Sequence, residues 1–391
     1  MKVWRWNARL LAFLLCLMQL AGASAAARTA PLEEGVPLEI TSPSVMLVEA
    51  ETGTVIFEKN ADERRPVASV TKLMTLLLVM EGLEAGSLSP EDQITVSANA
   101  AGQIGSQALL DAGSVYTLKE LFKATVIASA NDGAVALAEH MAGSEEEFVR
   151  LMNERAAELG MTDTHYVNCT GLPAEGHYTT ARDVALLSCE VCKHPQYFEN
   201  SVIWMDTLTH PGGRTTDLTN TNRLVRFYEG CDGLKTGSAE ESGYCLSCTA
   251  VKGDMRLIAV VLGCKASQTR FNEARAMLDY GFAGYKRVRL LNEGDRLGHK
   301  VPVKMGMQDE VEAAAGSGLS MLLKLGQEKQ LAIEVELPEE IEAPVEDGQS
   351  IGIIRIKLGD RIVAKLPAVA AESVGMPGLL MGFLRVLRNW R

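Results

Sequence analysis

The chain lacks any apolar stretch long enough to cross a bilayer: Leu10 to Leu20 supplies only about half of the roughly 20 residues a spanning helix requires. It also lacks an excess of positive charge. With 38 Lys and Arg against 50 Asp and Glu, its formal net charge is −12, which excludes the basic footprint of a nucleic-acid binder. Sequence repeats and low-complexity tracts are absent. Histidine is scarce, and His140, His165, His194, His210 and His299 show no metal-ligand spacing.

What is present is ordinary globular composition, 47% hydrophobic and 23% charged over 391 residues, enough for two cored domains with appendages. Lys2, Arg5 and Arg9, the apolar run to Leu20 and the small residues Ala21 to Ala27 predict a secretory signal over residues 1–27, cleaved after Ala25 or Ala27. Its removal leaves Cys169, Cys189, Cys192, Cys231, Cys245, Cys248 and Cys264, an odd set with at least one thiol outside any intramolecular disulfide.

Val45 to Glu49 and Thr54 to Glu58, separated by Glu51-Thr52-Gly53, predict a β-hairpin. A helical block follows, from Ser69 to about His194. Within it a Thr117-x-x-Glu120 capping box, a Ser144-x-x-Glu147 start and a Thr180-x-x-Asp183 start each open a helix. A second hairpin, Tyr244 to Val251 with Leu257 to Leu262, precedes a helix from about Thr269 to Tyr280. Strand pair, helices, strand pair, helix implies an α+β domain over residues 28–288, with one antiparallel sheet assembled from both ends and helices packed on it. Short alternating runs after Asn292 predict a small all-β domain, residues 289–374, ahead of a separate helical segment at 375–391.

Three short motifs carry the chemistry: Ser69-Val70-Thr71-Lys72, Ser129-Ala130-Asn131 and Lys235-Thr236-Gly237. This set, in this order, is the signature of serine β-lactamases and penicillin-binding proteins. At i and i+3 on a helix, the Ser69 hydroxyl and Lys72 amine share a face, so a lysine whose pKa falls on burial can serve as base. The run after Lys72 is apolar nearly all round, which predicts a buried helix. Ser69 near the helix start places its N–H where partial positive charge suits an oxyanion. Ser129 and Asn131 fall between two helices, free to project into a cleft. Lys235-Thr236-Gly237 precedes the second hairpin and fits an edge strand whose glycine admits a ligand to the backbone.

With Pro66 to Lys72, Asn131-Asp132, Asn168-x-x-Gly171-Leu172, His177-x-Thr179-x-x-Asp183, Thr221 to Leu224 and Asp232 to Gly237 in order, the chain closely resembles the low-molecular-mass penicillin-binding proteins that are serine-type D-alanyl-D-alanine carboxypeptidases. The resemblance covers nearly the whole mature chain. It implies that Ser69 is the acylated nucleophile and Lys72 the base, with Ser129 and Asn131 relaying protons and holding the substrate amide. It further implies that Lys235, Thr236 and Gly237 line the substrate carboxylate site, that the N–H groups of Ser69 and Ser238 form the oxyanion hole, and that Arg270 helps fix the terminal carboxylate. The segment around Lys265 departs from the family's commoner glycine-rich pattern.

The implied substrate is a peptidoglycan stem peptide ending in D-Ala-D-Ala, with β-lactams as acylating mimics and no cofactor or metal. A cross-link endopeptidase, a serine β-lactamase or a lapsed penicillin-binding scaffold could carry the same residues. Cys189-x-x-Cys192 and Cys245-x-x-Cys248 invite a four-thiolate site, but strand alternation sends Cys245 and Cys248 to opposite faces, leaving buried thiols or a disulfide. In the last segment, Met376, Leu379, Leu380, Phe383, Leu384, Val386, Leu387 and Trp390 share one helical face against Arg385, Arg388 and Asn389. This is the pattern of an amphipathic anchor on the anionic outer face of the cytoplasmic membrane, the alternative being a helix docked on the β domain.

Overall fold

The computed structural model describes residues 38–378. The expected signal segment and nearly all of the C-terminal helix lie outside them, and residues 375–378, which open the predicted helix, are irregular. The central sheet holds β1 (Ser44–Glu49), β2 (Val55–Lys59), β3 (Cys231–Ala239), β4 (Gly243–Lys252) and β5 (Met255–Cys264), antiparallel throughout in the order β2-β1-β5-β4-β3. The two ends of the α+β part therefore meet in one sheet, with β3 as a free edge.

Strand alternation divides two cores. Met46, Val48, Ile258, Val260 and Leu262 face one side, packed by helices α1 (Lys72–Glu84), α2 (Leu118–Ile127), α3 (Asn131–Ala142) and α4 (Ala181–Val191). Val45, Leu47, Leu257, Ala259 and Val261 face the other, against Phe271, Ala274, Met277 and Leu278 of α5 (Ser267–Gly284). Helix α1 is buried at every residue from Lys72 to Met80, as its unbroken apolar run requires. The Thr117 capping box is formed reciprocally, Thr117 Oγ1 accepting from Glu120 N–H and Glu120 accepting from Thr117 N–H.

The predicted helical block is interrupted. Gln93–Thr95 pairs with Val115–Thr117, and beyond the block Met205–Thr209 pairs with Thr215–Thr219. Each strand of the second hairpin buries a single leucine, Leu208 or Leu218, too weak a signal to read from sequence. The chain then forms a six-stranded mixed sheet and a two-stranded ladder between Tyr285–Leu291 and Leu319–Lys324. The boundary expected at 288/289 falls inside the first strand of that ladder. Among the described residues no helix is long and apolar enough to cross a membrane.

Candidate active site

Ser69 lies in a 3-10 turn, Ala68–Thr71, which leads directly into α1, so the nucleophile sits at the mouth of a buried helix and Lys72 is that helix's first residue. Ala68 adopts φ 48°, a strained value for a residue with a Cβ, and the loop above clamps it. A Cβ at Gly171 (φ 81°) would lie 1.9 Å from the Ala68 carbonyl oxygen, so only glycine fits there. Asn168 Oδ1 accepts from Gly171 N–H at 2.7 Å and from Thr170 N–H at 3.2 Å, which sets the loop's shape. His177 accepts Val167 N–H at Nδ1 (3.1 Å), so its Nε2–H donates to Thr71 Oγ1 at 2.9 Å. Burial lowers the His177 pKa to about 4, and the ring is neutral.

Lys72 is wholly buried. Its Nζ reaches Ser69 Oγ at 2.9 Å, Asn131 Oδ1 at 2.5 Å and the Thr170 carbonyl at 2.7 Å. Desolvation pushes its pKa down to about 7. A neutral amine has two N–H donors and one lone pair. Asn131 and Thr170 offer only acceptors, so they take the donors and turn the lone pair to the Ser69 hydroxyl.

Asn131 opens α3 without capping it; its Nδ2 donates to the Ile104 carbonyl at 2.5 Å, which fixes the amide's orientation. Beside it Asp132, fully buried, accepts from the N–H groups of Ala108 (2.9 Å) and Leu110 (3.0 Å) and holds that wall of the cleft. Ser129, at φ 62°, accepts from Lys235 Nζ at 2.7 Å. Lys235 is also buried, and desolvation followed by the charges of Lys72 and Arg270 drives its pKa well below normal.

On the edge strand, Thr236 Oγ1 donates to Thr221 Oγ1 at 2.7 Å. A Cβ at Gly237 would stand 2.2 Å from the Val67 carbonyl oxygen and 3.1 Å from Ser69 N, so glycine alone lets β3 close on the nucleophile turn. Ser238, the next residue, is exposed. Arg270 comes from α5 beneath the strand, and its Nη1 donates to the carbonyls of Gly237 (2.8 Å) and Cys245 (3.1 Å). Among the described residues Lys72, Lys235 and Arg270 form no salt bridge, so the cleft holds the Arg270 guanidinium and two amines whose protonated forms burial disfavours, all without a counter-ion. That is a site for an anionic ligand group.

The structure thus brings together Ser69, Lys72, Ser129, Asn131, Lys235, Thr236, Gly237, Ser238 and Arg270. The Thr170 carbonyl and the Asp132 carboxylate are additions that sequence reasoning missed. The first is a backbone group with no residue signature; the second is legible only as part of Asn131-Asp132.

The seven described cysteines are free thiols, with Cys245 in the helical-side core and Cys248 in the α5-side core as alternation requires; Cys248 Sγ lies 3.5 Å from Cys231 Sγ. Among the described residues, Glu81, Glu190 and His194 bring ligand-type atoms within 4.8 Å of one another. Cations already hold both carboxylates: Arg155 Nη2 lies 2.7 Å from Glu81 and 3.4 Å from Glu190, and Lys193 Nζ lies 2.6 Å from Glu190.

Residues 28–266 match the D-alanyl-D-alanine carboxypeptidase family, and residues 285–375 match the C-terminal domain of penicillin-binding protein 5. D-alanyl-D-alanine carboxypeptidase DacF of Bacillus subtilis is 38% identical over 348 residues, 89% of this chain and 89% of that protein. DacC of Escherichia coli is 34% identical over 358 residues, 88% of each. The crystal structure of penicillin-binding protein 5 from Haemophilus influenzae superposes with a TM-score of 0.79 at 27% identity, covering 88% of this chain and 100% of that one.

Proposed function

Because the chain belongs to the D-alanyl-D-alanine carboxypeptidase family, we propose that it removes the terminal D-alanine from peptidoglycan stem pentapeptides through an acyl-enzyme on Ser69. The observation that carries this reading is the Lys72 amine, wholly buried, 2.9 Å from Ser69 Oγ and with a pKa near 7.

The terminal carboxylate enters beside Lys235 and Thr236 and supplies the counter-ion that favours the protonated form of Lys235, with Arg270 adding positive charge from behind the strand. This fixes the scissile carbonyl at the level of Gly237, over Ser69. Lys72 takes the Ser69 proton as Oγ bonds to the carbonyl carbon, and the oxyanion accepts from the N–H groups of Ser69 and Ser238. Ser129 and Asn131 hold the substrate amide, and the proton taken by Lys72 is relayed through the hydroxyl of Ser129 to the departing D-alanine nitrogen, which leaves the Lys72 amine neutral again. Water then attacks the ester, with Lys72 again as base. A β-lactam carries a carboxylate and a strained amide in the same relation and acylates Ser69 by the same steps. We place the enzyme outside the cytoplasmic membrane, exported by residues 1–27 and held by 375–391, with the catalytic unit at 28–288 and the small β unit at 289–374.

Full-length protein given a synthetic stem pentapeptide releases one D-alanine per peptide, measured by amino-acid analysis, and Ser69→Ala releases none. Cleavage at an internal bond instead would contradict the assignment.

A further inference from the structure

The edge strand that carries Lys235, Thr236 and Gly237 opens with a bulge. Gly233 of β3 stands opposite Thr249 of β4, but Cys231 stands opposite Ala250, so Asp232 is the extra residue. In an unbroken ladder Cys231 would face Val251 and point to the helical side of the sheet. The bulge turns it to the α5 side, where Cys248 lies two residues from Ala250, and the two sulfurs come within 3.5 Å. Other groups hold the bulge in place. Asp232 accepts from both Nη atoms of Arg256 at 2.8 Å, and the Gly233 carbonyl accepts from Asn222 Nδ2 at 2.8 Å. The sulfurs of Cys245 and Cys264 turn elsewhere, toward the Ser242 carbonyl (3.5 Å) and Ser42 Oγ (2.8 Å).

We propose that Cys231 and Cys248 form a disulfide in the exported protein, a covalent staple across the open end of the hairpin that carries the substrate carboxylate site. The sulfurs need to close by about 1.5 Å to reach disulfide bond length. The loop so closed, residues 231–248, contains Lys235, Thr236, Gly237 and Ser238. Because β3 is paired on one side only, its start is where the hairpin would fray, and the staple is a bond that fraying does not break.

The oxidant is a small-molecule or protein disulfide of the compartment outside the membrane. The Cys231 thiolate attacks one sulfur of that disulfide and expels the other as a thiol. Cys248 then attacks Cys231 Sγ and expels the second, so two protein thiols become one disulfide while the donor disulfide becomes two thiols, taking up both electrons and both protons. Cys231 takes the first step because it lies on the edge strand and is 7% exposed, whereas Cys248 is fully buried. Contact with Cys231 and then burial push the Cys248 thiol well above its ordinary range, which favours closure while the hairpin is forming or open at its edge.

The test supplies the oxidant, so it stands apart from the export reading. Full-length protein is equilibrated with oxidised and reduced glutathione until the product pattern is constant, unfolded in an alkylating agent without reductant, digested and mapped by mass spectrometry. The expected product is a peptide pair joined through Cys231 and Cys248. Alkylation of both cysteines, glutathione retained on either, or a link from either to another cysteine overturns the proposal. The oxidised protein should also lose about 5–10 °C of thermal midpoint when a phosphine reductant is added, the effect of opening a loop of this length. Cys231→Ala, whose bulge Arg256 still holds, should show no such shift. A midpoint that reductant leaves unchanged in the parent, or lowers equally in the variant, overturns the staple. Penicillin labelling of Ser69, recorded on the same sample, reports separately on the acyl-enzyme reading.

Discussion

Lys72 must lose its proton before it can take one from Ser69, and its burial sets where that happens. Because its pKa is lowered to about 7, the competent neutral form grows as pH rises through neutrality. The second-order rate of β-lactam acylation should therefore climb between about pH 6 and 8 and flatten above, read by stopped-flow with a chromogenic β-lactam. Lys72→Arg removes the limb altogether, because a guanidinium keeps its proton, and should slow acylation by about 10² to 10⁴-fold. A variant turning over near the parent rate would require another base. Ser69, Lys72, Asn131 and Lys235 were legible as sequence because their chemistry is in their side chains at fixed spacing. The Thr170 carbonyl was not, since any residue supplies one and only the loop's path directs it at Lys72.

At the scale of elements, the site depends on how closely the edge strand approaches the nucleophile turn. Gly237→Ala would drive a methyl to 2.2 Å from the Val67 carbonyl oxygen, so β3 must retreat and carry Ser238 N–H away from the oxyanion position. The expected result is a loss of about 10² to 10³-fold in acylation rate with about 1–3 kcal/mol of stability, measured by acylation kinetics and denaturant unfolding. Retained acylation would mean the oxyanion donors lie elsewhere. Strands β1, β4 and β5 and helices α1, α2, α4 and α5 could be read from periodicity and caps because each buries a full face or stripe, whereas α3 opens without a side-chain cap. The hairpin at Met205–Thr219 could not, because it packs through two leucines and is otherwise polar. Arg270 was legible as a cation near the carboxylate, but its hold on the Gly237 carbonyl follows from how α5 crosses beneath the sheet.

The whole molecule places a catalytic sheet domain ahead of a β unit whose last described bridge, Val345 with Val374, brings the chain to its C-terminal segment. The proposed tether is amphipathic, and its arginines opposite Leu, Phe and Trp suit anionic lipid. Removing residues 379–391 leaves every described element in place, so the truncated enzyme should hydrolyse stem peptide at the parent rate yet no longer sediment with anionic vesicles. A full-length protein that stays in the supernatant would refute the tether. The central claim, that Ser69 is the residue acylated, is tested most directly by mass spectrometry of the penicillin-treated, protease-digested protein. One penicilloyl group on the peptide containing Ser69, absent from Ser69→Ala, is the predicted result; no adduct, or an adduct on another residue, would contradict it.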